Sequence, residues 1–393
     1  MACRPDAPPR NSGGGYLEID LGGEQQHKNK YVVMDALFIA HALNRTLIEP
    51  AVVDSRLGSA DLGGASLALH DYWDLQPLCE RFPARLMPRA AFTGRHDAAV
   101  LRRLGAVVEP KRGRAFPGGW RLHSASAVRA AFAHAERAPL IRLRGAWRSI
   151  TNEELLADDV RTLPYEALGG RPFFHHRTAM LWEPNPGYDR LAQLLLAHVH
   201  AAAVLGQAVG GAEKRRLAAA MMAEEPGARL LAVQWRTEDW EHNEPNGSAA
   251  YNSSSAASLT ACAGWVARRL QRAMAQHRLT AVFVATDLRA GASGSYAGAR
   301  RPAARAALLR LERLLPAVRQ PRLNALIGTL PDSGMRANLE AAICARARLL
   351  LSSAADACTD CAKARRCSKM SSAFGAHVLH RRNAYGRPSE PLF

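Results

Sequence analysis

Residues 230–235, Leu-Leu-Ala-Val-Gln-Trp, are a mostly apolar run that stops at Arg236-Thr237-Glu238-Asp239. An apolar stretch of this length bounded by charge reads as a buried strand. In α/β folds, ligands sit just beyond the carboxyl ends of such strands, so Arg236 stands where a ligand would be. Its guanidinium offers a fixed fork of donors and keeps its charge, which suits phosphate or pyrophosphate. The competing reading is an arginine at the surface or in an ion pair.

The rest of the second half repeats the pattern. Residues 256–276 have helical spacing, Ala281-Val282-Phe283-Val284-Ala285 is a second strand ending at Thr286-Asp287, and residues 303–315 and 336–348 are helical. Leu349-Leu350-Leu351 is a short strand, and Ser371-Ser372 precedes a final helix to about residue 382. In the first half, Tyr16-Leu17-Glu18-Ile19-Asp20 alternates like a strand and runs into Leu21-Gly22-Gly23. Val32, Val33, Leu37, Phe38, Ala40, His41 and Leu43 then recur at helical spacing before a strand at residues 45–50 that is closed by Pro50. Strand, glycine turn, helix, strand is a parallel crossover. Its glycines sit where backbone can approach a ligand and helix-start amides are free, or they make a plain tight turn.

A chain of 393 residues exceeds one ordinary core. The division that follows is a Pro- and Gly-rich segment over residues 1–15, read as disordered, an amino-terminal α/β domain over 16–205 and a carboxyl-terminal one over 206–393, with Gly206 to Gly211 as linker. Asp189 to Leu205 reads as the last helix of the first domain, and Asp71-Tyr72-Trp73-Asp74-Leu75 as a buried aromatic anchor.

The formal net charge of +17 raises nucleic-acid binding as a function. Its distribution argues against that: arginines are scattered through Ala-rich segments, with no zinc-finger spacing and no aromatic platform for stacked bases. An anionic substrate is still favoured by the field. Of the seven cysteines, Cys358 and Cys361 have the spacing that opens a zinc site, but no second pair completes it. Dispersed Cys79, Cys262 and Cys344 fit structural cysteines of a secreted protein, and an odd total leaves a thiol outside any intrachain bridge. No apolar run approaches the roughly 18 residues of a membrane span, and the start lacks the apolar core of a signal peptide. Asn246-Gly247-Ser248 and Asn252-Ser253-Ser254 are glycosylation sequons in what reads as a polar loop.

Several pieces fall in one order that resembles the GDP-fucose protein O-fucosyltransferase family. They are Gly22-Gly23 followed by a polar patch, Leu43-Asn44-Arg45-Thr46-Leu47-Ile48-Glu49-Pro50, the Trp235-Arg236-Thr237-Glu238-Asp239 strand end, Val284-Ala285-Thr286-Asp287, and Ser371-Ser372-Ala373-Phe374 with Arg381 downstream. The resemblance runs from about residue 16 to 382. It implies a GT-B-like α/β fold, two Rossmann-like domains facing a central cleft, and transfer of fucose from GDP-fucose to a Ser or Thr hydroxyl with inversion and without metal or other cofactor. It implies that Arg236 neutralises the pyrophosphate, that Asp287 lies near the base or ribose, and that Ser371, Ser372 and Phe374 form the loop at the phosphates. Arg381 joins the substrate-binding set, and Gly22 and Gly23 line the acceptor side. The expected partners are GDP-fucose and a protein or glycan acceptor, and the family's compartment is the ER or Golgi lumen.

The chain departs from the family at Gly23-Glu24-Gln25-Gln26-His27-Lys28, where an aromatic, Asn and Arg are usual, and at Gln234, where histidine is usual. Glu24 and His27 are the groups near the glycine turn that could take the acceptor proton. Glu24 is the candidate base, against the reading of a solvated carboxylate favoured by a helix start. The alternative to a transferase is a protein of the same fold that binds the GDP-sugar or a glycan without turnover.

Overall fold

The computed structural model describes residues 15–19, 32–33, 36–37, 39–52, 67–81, 86–108, 125–143, 183–205, 227–235, 250–286, 302–330, 332–352 and 373–392. The chain forms two compact units, Met1–Asn185 and Pro186–Phe393. Each carries a parallel sheet with helices, so the α/β class expected from the strand–helix alternation is the one present.

The strands of the first unit are β1 (Tyr16–Ile19), β2 (Thr46–Ile48), β3 (Ala51–Val52), β4 (Leu67–Ala68), β5 (Trp73–Asp74), β6 (Leu86–Met87), β7 (Ala106–Val108), β8 (Leu140–Leu143) and β9 (Glu183–Pro184). Five of them make a sheet in the order β6-β2-β1-β8-β7, with every pairing parallel. Two antiparallel ladders, β3–β4 and β5–β9, stand apart from it. β1 is central, and Leu17 and Ile19 are buried. The anchor expected at Tyr72 and Trp73 is buried as well.

The Leu-Asn-Arg-Thr-Leu segment has a local physical explanation. Its helix stops in a Schellman turn: Arg45 N–H donates to Ala40 O at 2.7 Å and Asn44 N–H to His41 O at 3.1 Å, with Asn44 at φ 54°. Asparagine tolerates the left-handed region better than most side chains. Arg45, itself buried, then donates to the carbonyls of Tyr16, Ala135 and Glu136 and fastens the start of β2 to β1 and to a neighbouring turn.

The second unit is built on β10 (Leu230–Trp235), β11 (Ala281–Thr286), β12 (Leu349–Ser352) and β13 (Ser389–Pro391), in the order β11-β10-β12-β13 and parallel throughout. β10 lies inside, and its side chains divide by parity, as a strand's must. Leu231, Val233 and Trp235 join a core with the Ala250–His277 and Pro302–Leu314 helices. Leu230 and Ala232 join a core with the Pro186–Leu205, Ser333–Arg346 and Ala373–Ala384 helices. Covering both faces is why the run reads as continuously apolar.

Two features differ from the sequence reading. The Pro186–Leu205 helix, expected to close the first domain, belongs to the second unit, because Tyr188, Ala192, Leu195 and Leu196 are buried against that unit's core. The Asn252-Ser253-Ser254 sequon, expected in a loop, lies in the first turns of the 28-residue Ala250–His277 helix. Once nucleated, a long helix gains a hydrogen bond for each added residue and extends through poor formers.

Cys344 is a free, buried thiol, and Cys262 is disulfide-bonded. Among the described residues no helix is long and apolar enough to cross a membrane, and no cluster of His, Cys, Asp or Glu is placed to hold a metal ion.

Candidate functional site

The carboxyl ends of β10, β11 and β12 gather polar groups that the rest of those three strands excludes. Trp235 pairs with Thr286, and Gln234 pairs with both Ala285 and Ser352, so β10, β11 and β12 finish level with one another. Gln234, Thr286 and Ser352 are all buried there. Ser352 Oγ donates to Gln234 Oε1 at 2.7 Å, which binds the ends of β10 and β12 together. Gln234, where the resembled family has histidine, therefore has a structural partner in its own sheet. Trp235 is fully buried in the core.

Two helices also begin at this edge, because each precedes a strand parallel to its neighbours and runs back against it: Ser333–Arg346 before β12 and Ala373–Ala384 before β13. Asp332 caps the first. Its Oδ2 accepts from Gly334 N–H at 2.8 Å and Met335 N–H at 3.1 Å, and the side chain is fully buried. The cap satisfies two of the helix's orphan donors. Replacing it with alanine (D332A) is expected to lower stability by about 1–2 kcal/mol, the upper part of the range for helix caps because these amides are shielded from water. A denaturant midpoint unchanged from wild type would show that the cap contributes nothing.

Arg236, Asp287, Ser371 and Ser372 lie outside the described residues. Their chain neighbours Trp235, Thr286 and Ala373 end β10, end β11 and begin the last helix, all at this one edge. Phe374 and Arg381 are described, and both are interior. Phe374 is buried among the residues of the second core. Arg381 Nη2 donates to Asp189 Oδ2 at 2.6 Å and to the Tyr385 hydroxyl at 2.8 Å. Arg346 Nε stands 3.5 Å from Asp189 Oδ1, and both guanidinium groups lie over the Tyr385 ring. Arg381 thus ties the Ala373–Ala384 helix to the Pro186–Leu205 helix.

In the first unit Gly22, Gly23, Glu24 and His27 lie outside the described residues, beyond the end of β1. Among the described residues, Glu49, His70 and Arg89 gather at the carboxyl edge of that sheet, and sequence reading missed them. Glu49 directly follows β2 and is buried. Its Oε1 accepts from His70 N–H at 2.9 Å and lies 2.7 Å from His70 Nδ1; its Oε2 accepts from Arg89 N–H at 3.3 Å. Arg89 Nε donates to Glu49 O, and Asn185 Nδ2 donates to His70 O at 2.8 Å. A strand end closed by proline marks Glu49 in the sequence, but nothing in the sequence joins it to a histidine 21 positions on.

No protein-family model and no curated protein matches the chain. Solved structures do. POFUT1 in its apo form superposes with a TM-score of 0.51 at 11% identity, covering 96% of this chain and 97% of that one. POFUT1 in complex with GDP-fucose superposes with a TM-score of 0.51 at 11% identity, covering 98% and 99%. Along nearly its whole length, the chain is similar in fold to POFUT1.

Proposed function

We propose that this protein is a glycosyltransferase that takes fucose from GDP-fucose and passes it, with inversion and without metal or other cofactor, to a Ser or Thr hydroxyl of a protein. The observation that carries the reading is the full-length similarity in fold to POFUT1, a protein solved with GDP-fucose bound. The carboxyl edge of the second sheet supports it: level parallel strands and two helix starts make the surroundings in which α/β proteins bind phosphates. GDP, the leaving group, gathers negative charge as the glycosyl bond breaks. Arg236 supplies a fixed counter-charge, and Ser371 and Ser372 supply donors beside the last helix's amides, so the charge is stabilised as it forms. Asp287 accepts from donors of the base or ribose, while Phe374 and Arg381 hold the last helix in place. On the acceptor side, Gly22 and Gly23 let the backbone approach closely, and Glu24 stands among the groups that could receive a proton.

The test is calorimetric titration of GDP-fucose and GDP into wild type and the R236A variant without added metal, followed by GDP release with a Ser/Thr-bearing acceptor mixture. Losing charge-assisted contacts to a pyrophosphate should weaken binding about 100-fold, close to 3 kcal/mol. Acceptor-dependent release supports the transferase; binding without release supports a protein that retains the sugar nucleotide but not turnover. A folded wild type that binds neither nucleotide sinks both readings.

A further inference from the structure

We infer that His70, oriented by Glu49, is the base that takes the acceptor's proton; the assignment rests on the transferase reading. Glu49 is sealed, its side chain 2% exposed, while the His70 side chain is 46% exposed. One backbone amide from each side, at His70 and Arg89, together with the imidazole, point at the two carboxylate oxygens, so the carboxylate is held from three directions. A carboxylate can only accept, which puts the proton of the neutral ring on Nδ1 and leaves the lone pair on Nε2. The pair is a buried carboxylate fixing the tautomer and direction of an open imidazole, the division of labour that general-base histidines require.

Its place in the fold agrees. Tyr16 pairs with Thr46 and Leu17 with Leu47, and continuing that register sets Glu49 level with Ile19, the last residue of β1. In the sequence, Gly22 and Gly23 begin three residues after Ile19, the end of β1. Glu49 therefore lies at the carboxyl edge of the first sheet, just past β2, the strand beside β1, and it holds His70 of the Leu69–Asp71 3-10 turn at that edge. Among the described residues, the other charged groups recorded beside the pair are Asp71, whose Oδ1 lies 3.9 Å from Nε2, and Arg89, whose Nε donates to the Glu49 carbonyl.

In the proposed step a lone pair of the acceptor oxygen forms the bond to the sugar's anomeric carbon, and the bond from that carbon to the phosphate oxygen breaks with its electrons departing on GDP. The hydroxyl proton moves to Nε2, giving an imidazolium that faces the Glu49 carboxylate and later releases its proton to water. Water in place of the hydroxyl gives free fucose by the same transfers.

The decisive experiment follows GDP release from GDP-fucose with water as acceptor between pH 5.5 and 9 for wild type, H70Q and E49Q. GDP-fucose affinity is measured alongside by calorimetry, and the imidazole tautomer by 15N NMR. H70Q is expected to release GDP about 100-fold more slowly and to lose the decline in rate on the acid side, with donor affinity kept. E49Q should slow release about 10-fold or more and shift the tautomer away from the Nδ1–H form. Release by H70Q within about threefold of wild type, or an unchanged pH profile, overturns the assignment and leaves the donor site standing. A wild type that binds GDP-fucose yet releases no GDP also overturns it. Failure of wild type to bind GDP-fucose defeats the donor reading first, and the base assignment falls with it.

Discussion

R382A is expected to destabilise the second unit by about 3–5 kcal/mol, seen as a fall of roughly 10 °C in its melting temperature. Arg382 is fully buried, and its partners are largely backbone carbonyls. Nη1 donates to Cys344 O at 2.7 Å, Ala347 O at 2.8 Å and Ala345 O at 3.3 Å; Nη2 donates to Pro388 O and, at 3.4 Å, to Arg348 O; Nε reaches Ser389 Oγ at 3.0 Å. These carbonyls close the Ser333–Arg346 helix and lead the chain into β12 and β13. A helix's last carbonyls have no intrahelical partner, and a cation at that end also meets the negative pole of the dipole.

Burial pulls the guanidinium's pKa down to about 10, so it is protonated at neutral pH. Alanine would leave several buried acceptors without a donor, each at about 1–3 kcal/mol. It would also relieve the desolvation of the charge, so the net loss is smaller than the sum. Lysine keeps the charge but lacks the planar fork, and R382K should recover part of the loss. Equal melting temperatures for wild type and R382A would remove this arginine from any structural role.

Arg382 also shows where sequence reading stopped. β10 and β11 were legible because both faces of the second sheet are covered, leaving apolar runs that end abruptly in polar residues. The sequence reads as helical from Arg336, but the helix starts at Ser333, where the Asp332 cap offsets the poor helix propensity of Gly334. β6 has two residues and β13 is Ser-Glu-Pro. β6 is too short to show a period of two, and β13 is not apolar enough to announce a strand.

Charge was the least legible property. Arg45, Arg381 and Arg382 look like the scattered basic residues around them, but each is buried and committed to carbonyls or to Asp189. Part of the +17 charge is therefore internal, which weakens the case for a nucleic-acid surface beyond what scatter alone allowed. On the site, strand ends marked Arg236 and Asp287, whereas Glu49 stood only as the end of a short strand closed by proline. The Glu49–His70 pairing depends on a connection through β3 and β4 and a short 3-10 turn, Leu69–Asp71, that no spacing rule encodes.

In the first unit, Glu18 is a buried carboxylate whose removal should be visible through pH. Glu18 lies on β1 opposite Arg142 of β8, its register partner, whose Nε is 3.4 Å away. Arg89 Nη1 donates to it at 3.1 Å and Arg102 Nη2 at 2.7 Å, with Arg102 Nε at 3.2 Å. Three guanidinium groups thus surround one carboxylate that is nearly sealed from solvent. Burial by itself would raise its pKa, but the hydrogen bonds and charge of Arg102 and Arg89 overcome that and hold it below its ordinary value.

E18Q keeps the shape and leaves three like charges together. Breaking a fully buried pair costs about 3–5 kcal/mol; these arginines are 20–40% exposed, so water and salt screen them and about 2–3 kcal/mol is expected near neutral pH. Because the folded pKa is depressed, the native state binds its proton less readily than the unfolded chain. The stabilisation is therefore complete above the ordinary value of 4.5 and is lost as pH falls through the lower, folded one. Denaturant titrations of wild type and E18Q should differ near neutrality, draw together below pH 4.5, and approach each other at high salt. A gap that persists unchanged into acid would mean that E18Q acts through packing, and the charge cluster would then hold nothing together.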